Sequence, residues 1–118
     1  MVCHLSDSFR MVCGQKAGGQ ASGRLQRTIV KWVALYLPLR WPTGILTTTP
    51  ELDQEVDGTR PADFAADIAE LEALVKLFLA RERNLEGQSH PIFGRMTHAA
   101  WLRWAYLHMD HHLRQFGA

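Results

Sequence analysis

The sequence predicts an all-α protein, a helical bundle with one long crossover connection. Three observations carry that expectation. Apolar residues recur at three- and four-residue spacings in four separate stretches, the signature of helices with one buried face. Glycines and prolines fall between these stretches rather than inside them. No stretch reads as a convincing strand, and there is no internal repeat or low-complexity tract.

The elements follow in order. Val2, Leu5, Phe9 and Val12 lie on a helical period and place a short helix over residues 2–13. Gly14, Gly18, Gly19 and Gly23 break it, leaving residues 15–23 as a loop. Leu25, Ile29, Trp32, Val33 and Tyr36 predict a helix over 25–37, ended by Pro38. The segment from Trp41 to Gly58 has few apolar anchors. Its length suggests a crossover over one end of a bundle. Pro61 suits the first position of the next helix, and Asp63 and Asp67 favour its first turns. Phe64, Ile68, Leu71, Val75, Phe78 and Leu79 carry that helix to about Arg83. A polar loop, 84–96, contains His90-Pro91-Ile92-Phe93-Gly94. Thr97 is the expected N-cap of the last helix, with Trp101, Trp104, Leu107, His108, His112 and Gln115 on adjoining turns.

Length and composition narrow the function classes. A chain of 118 residues is one domain by size, 1–118, and long enough to bury a core without disulfides or other staples. Its formal net charge of +1 gives no electrostatic case for nucleic acid or an anionic membrane as partner. Arg24, Arg27 and Lys31 form a short basic stripe, which reads as a solvated helix face. No apolar run has the length of a membrane span, and the opening residues do not form a signal peptide because His4, Ser6 and Asp7 interrupt them. Cys3 and Cys13 lie on one helix, separated by roughly 15 Å at its ordinary rise, too far for a disulfide. Free thiols suit a reducing, cytoplasmic setting.

The chemistry concentrates at the C-terminal end. Three of the six histidines, His108, His111 and His112, fall within five residues. His108 and His112 are four apart, so a helix stacks their imidazoles on one face. Two imidazoles so placed can share a divalent cation if a third ligand comes from another helix. His4 is the natural third, the one other histidine in the interior of a predicted helix. His98 lies on the same helix as the pair and His90 lies in a loop. Three neutral imidazoles leave coordination positions open, as in a catalytic rather than a structural centre. Imidazole suits zinc, nickel, copper and iron alike. Asp7, one turn after His4, is placed to accept a hydrogen bond from a ligand's second ring nitrogen. Gln115 is placed to touch a bound water or ligand. A simpler reading stands beside this one. Histidines near tryptophans at a helix end also serve as capped or stacked side chains, and His111 competes with its neighbours for the ligand role. His90 reads as fixing its loop, Trp101 and Trp104 as core, and Cys3 as a small core residue. Asp110 is expected to lie off the His108–His112 face.

Met1-Val2-Cys3-His4-Leu5-Ser6-Asp7, Trp41-Pro42-Thr43-Gly44, His90-Pro91-Ile92-Phe93-Gly94 and the run from Trp101 through His108-Met109-Asp110-His111-His112-Leu113-Arg114-Gln115-Phe116-Gly117 together resemble the DinB/YfiT-like superfamily of metalloenzymes. Within it they are most like a branch of uncharacterised bacterial proteins. The resemblance implies an antiparallel four-helix bundle with a long crossover. It also implies a three-histidine divalent-metal site, often nickel or zinc, with His4, His108 and His112 as ligands. Some members are transferases or isomerases that use a low-molecular-weight bacterial thiol, which makes a thiol-dependent S-transferase or a hydrolase the expected enzyme class. The alternative is a non-catalytic helical module for dimerisation or stress response, with a vestigial metal site. Such proteins usually carry a further helix before the one holding the first histidine. Here only three residues precede His4, so the resemblance implies a domain lacking its usual first helix. It also implies an uncovered apolar face that a homodimer would bury.

Overall fold

A computed structural model describes residues 1–17, 23–42, 53, 55–81, 85 and 88–117. Among these the helices are α1 (Val2–Val12), α2 (Lys31–Tyr36), α3 (Phe64–Ala80) and α4 (His98–Gln115), with a π-helical segment, Gln26–Val30, leading into α2. Two short strands, β1 (Ser89–His90) and β2 (Gly94–Arg95), pair antiparallel. The mostly helical class matches the expectation. The chain forms two compact units, Met1–Gly19 with Thr47–Glu82 and Gln20–Leu46 with Arg83–Ala118. Much of the expected crossover, 43–52 and 54, lies outside the described residues.

In the first unit α1 packs on α3. Phe9 and Phe78, both almost fully buried, meet edge to face with ring centroids 5.3 Å apart. That geometry places the positive edge of one ring against the negative face of the other. Leu5, Val12, Leu71 and Leu74 are also buried. Each such side chain removed from water contributes roughly 1.5–3 kcal/mol. Asp63, not Pro61, begins α3. Its carboxylate accepts the Ala66 N–H at 2.9 Å, and Pro61 lies before the helix in extended chain. Capping decides the boundary, because an Asp side chain satisfies an orphan donor that Pro61 would leave open. α3 ends at Ala80. Arg81, just beyond, donates to the Cys13 carbonyl at 2.6 Å and so ties the end of α3 to the end of α1.

In the second unit the segment expected as one helix over 25–37 is helical but not uniform. The Thr28 hydroxyl donates to the Arg24 carbonyl at 2.9 Å, the acceptor that Thr28's own N–H would use in an α-helix. That competition, within the β-branched run Thr28-Ile29-Val30, accompanies the wider π turn. The helix stops at Tyr36 because Leu37 is extended ahead of Pro38. Most of its expected core face is exposed: Leu25, Ile29, Trp32 and Tyr36 face outward, and only Leu35 is buried. The basic stripe is also not simply solvated. Lys31 donates to the Arg95 carbonyl at 2.8 Å.

The strands correct the strand-free expectation. Ser89 faces Arg95 and His90 faces Gly94. Pro91, Ile92 and Phe93 form the turn, and Gly94 takes φ +67°. His90 organises this turn. Its Nδ1 accepts the N–H groups of Ile92 (3.1 Å) and Phe93 (3.2 Å), while its ring stacks on Phe93 and contacts Trp101 and Trp104. A two-residue ladder carries no usable period, so the sequence signal for it was the turn and not the strands. Trp101, Trp104, Phe93 and Met96 are buried in this unit, as expected for the tryptophans.

Candidate metal centre

α4 supplies the centre. Thr97 caps it as expected, accepting the Ala100 N–H at 3.2 Å. The helix spacing then sets three side chains in a column. Trp104 is buried, and the His108 ring stacks on its indole at 5.1 Å and 29°. One turn on, the Nε2 atoms of His108 and His112 lie 3.1 Å apart. An ion at roughly 2 Å from both would see them at an angle of about 100°, close to the tetrahedral value.

Tautomers decide what this pair can do. The Nδ1 of His112 lies 3.2 Å from the Gln115 side-chain oxygen. An amide oxygen only accepts, so Nδ1 carries the proton and Nε2 keeps its lone pair. Gln115 thus orients the His112 ring with its Nε2 lone pair toward His108. With no ion between them, one of the two Nε2 atoms must donate to the other. A shared ion takes both Nε2 lone pairs, so the ring that donates in the metal-free pair must carry its N–H on Nδ1 when it ligates.

One ligand nitrogen from each of His4, His108 and His112 lies within 4.8 Å of the others, so the three form a group that could hold a metal ion. The donor set fits a borderline divalent cation, with positions left open for another ligand.

The other candidates fall elsewhere. The His111 ring contacts those of His112 (5.0 Å) and Trp41 (6.1 Å), and His111 is not a member of the three-histidine group. Asp110 pairs with Arg114 at 2.7 Å, off the histidine face as expected. His90 serves its turn, as expected. Burial drives its imidazole down from 6.5 to about 3, so it stays neutral.

The orienting role expected of Asp7 is overturned. Its carboxylate is fully buried and accepts from Arg10 (2.6 Å), Lys16 (2.8 Å), and the Thr59 N–H and hydroxyl (both 2.7 Å). Burial alone would raise its carboxyl, but the bonds from Lys16, Thr59 and Arg10 outweigh it and bring it from 3.8 down to about 2. Asp7 anchors α1 instead, with Arg10 continuing to Glu70 on α3. Cys3 and Cys13 are free and buried, and burial raises both thiols. The Trp104–His108 stack is of the kind expected for histidines near tryptophans at this helix end, whereas Trp41, whose ring lies 6.4 Å from that of His108, was not foreseen. Trp104-x-x-x-His108 was a readable spacing. Trp41 had no such signal, because its contact joins distant parts of the chain.

No helix among the described residues is long and apolar enough to cross a membrane. Comparison with curated proteins and with solved structures gives no match. A family model does match, from His4, the first histidine of the group, to the end of the chain. By that match over residues 4–118, the chain belongs to the family described as "Protein of unknown function (DUF1569)".

Proposed function

We propose that this chain binds one divalent cation, zinc or nickel, through His4, His108 and His112, and that the centre serves a thiol-dependent S-transferase. The three-histidine group carries the metal reading. The Gln115–His112 contact supports it, because it sets the ligating tautomer in advance. The resemblance to the DinB/YfiT-like superfamily supports the enzyme class and the low-molecular-weight thiol. Bound there, the cation would lower the pKa of a coordinated thiol and hold it as thiolate. The chain's own part is to present three neutral imidazoles and leave a position for the sulfur.

Protein purified without a histidine tag tests the metal. Elemental analysis and calorimetric titration with zinc and nickel are expected to give one equivalent, with loss of binding in His108→Ala and His112→Ala. No bound metal, and no thermal stabilisation by either cation, would refute the reading. Cobalt-substituted protein tests the thiol. Titration with a small thiol is expected to produce a sulfur-to-cobalt charge-transfer band, and its absence removes the transferase class while leaving the metal site.

One observation favours a second reading, a module that dimerises. Leu25, Ile29, Trp32, Leu37 and Leu39 are all more than 45% exposed. Single apolar residues at a surface are ordinary, but this many in one short segment fit a covered face. Light scattering on the wild type and on Trp32→Glu distinguishes the readings. A dimer lost in the variant supports the module, whereas a monomeric wild type removes it.

A further inference from the structure

Beside the histidine column, the second unit contains a cleft of about 180 Å³ between the segment after α2 and the outer side of α4. Its lining includes three arginines, Arg40, Arg103 and Arg114, and one acidic residue, Asp110. Trp41 and Leu107 are among its apolar walls. We infer that this cleft is a binding site for a small organic oxyanion, a carboxylate or phosphate group carrying a short apolar part.

Charge gives the first argument. Three cations against one anion leave a formal excess of +2 around a volume equal to about six waters in the liquid. Like charges gathered around one small space repel, and an anion seated among them relieves the repulsion. Preorganisation gives the second. Arg103 is pinned by its Nε donating to the Leu35 carbonyl, with its guanidinium carbon 5.5 Å from the centre of the Tyr36 ring. Arg114 is held by Asp110 through Nε (2.9 Å) and Nη2 (2.7 Å). Each of these guanidiniums has five N–H groups, so both keep donors for a ligand. Fixed guanidinium forks are the side chains best matched to planar carboxylates and to phosphates. The walls give the third argument. Leu107 and the Trp41 face offer apolar area that a bare inorganic ion does not use. The volume limits the ligand to roughly ten non-hydrogen atoms, below the range of larger cofactors.

The cleft is not remote from the histidines. Trp41 is both one of its walls and a ring neighbour of His108 and His111. The site does not depend on the metal reading, because every residue in it acts through charge and shape alone.

Fluorescence titration of protein kept in a chelator tests this without any metal. The probes are benzoate, phenyl phosphate and inorganic phosphate. Benzoate or phenyl phosphate is expected to change the emission saturably, with the signal lost in Trp41→Phe. Whichever of the two binds more tightly identifies the head group. Inorganic phosphate is expected to bind at least tenfold more weakly than phenyl phosphate. Arg40→Gln, an exposed position whose change leaves the core intact, is expected to weaken binding roughly tenfold. Asp110→Asn is expected to strengthen it several-fold, since it removes the one negative charge from the lining. These opposite directions separate a ligand site from general destabilisation. The inference is overturned by an absence of saturable binding to both organic probes. It is equally overturned by affinities that ignore both charge substitutions, or by inorganic phosphate binding as tightly as phenyl phosphate.

Discussion

His90→Asn gives the sharpest test of how the second unit is held together. His90 is 4% exposed, and its Nδ1 accepts two backbone N–H groups, from Ile92 and Phe93. Protonating that nitrogen would set an N–H against two others, in a site closed by Phe93, Trp101 and Trp104. Burial accordingly holds its folded-state value at about 3 against 6.5. The sign follows from linkage. The unfolded chain binds the proton more readily, so the contribution is fully present above pH 6.5 and is lost as pH falls toward 3. Between pH 7 and pH 5 the folded imidazole stays neutral while the unfolded one charges. For those two values the loss is about 2 kcal/mol. Asparagine keeps an acceptor for the same two N–H groups and does not titrate. Wild type is therefore expected to exceed His90→Asn in stability at pH 7 by the lost ring packing, and that gap is expected to shrink by about 2 kcal/mol at pH 5. Urea denaturation followed by tryptophan emission reads the second unit directly, because Trp32, Trp41, Trp101 and Trp104 all lie in it. A chelator keeps metal linkage out, and the other histidines cancel in the difference. A gap that changes by less than about 0.5 kcal/mol between the two pH values would refute the reasoning.

The remaining predictions concern the first unit and the ligand column. Asp7→Asn removes the buried counter-charge of Lys16 and leaves Arg10 with Glu70 alone, and is expected to cost about 3 kcal/mol at pH 7. Since the Asp7 carboxyl is lowered to about 2, that difference persists above pH 4 and closes as pH falls through 2, which acid denaturation curves followed by circular dichroism will show. Phe9→Ala removes one half of the Phe9–Phe78 contact and is expected to cost about 3–5 kcal/mol in the same assay. Gln115→Ala is expected to weaken zinc or nickel binding by roughly 10- to 100-fold in calorimetry, with little effect on melting of the metal-free protein.

The candidate site was legible to the extent that it is local. His108 and His112 four apart, Trp104 four before His108, and Gln115 three after His112 are helix arithmetic, and α4 places all of them in one column. The same arithmetic misjudged Asp7. Its position one turn after His4 is a fact of α1, but its partners Lys16 and Thr59 come from 9 and 52 residues away, and no periodicity announces them. The segment ahead of Pro38 shows the opposite failure. Its apolar spacing is helical as read, yet the residues on it are largely exposed, because spacing states which side chains share a face and not whether anything covers that face.

The sequence by itself determined the helical class, the Thr97 cap, the loop-fixing role of His90 and the pairing of two imidazoles on the last helix. Each depends on residues within about four positions of one another, where backbone geometry leaves little freedom. Tertiary structure alone decided the rest. It made Asp63 rather than Pro61 the start of α3, buried the Asp7 carboxylate among Arg10, Lys16 and Thr59, and set Trp41 and three arginines around a cleft beside α4. Contacts of this kind join residues distant along the chain, and the free energy that selects them comes from burial and charge pairing in the folded protein.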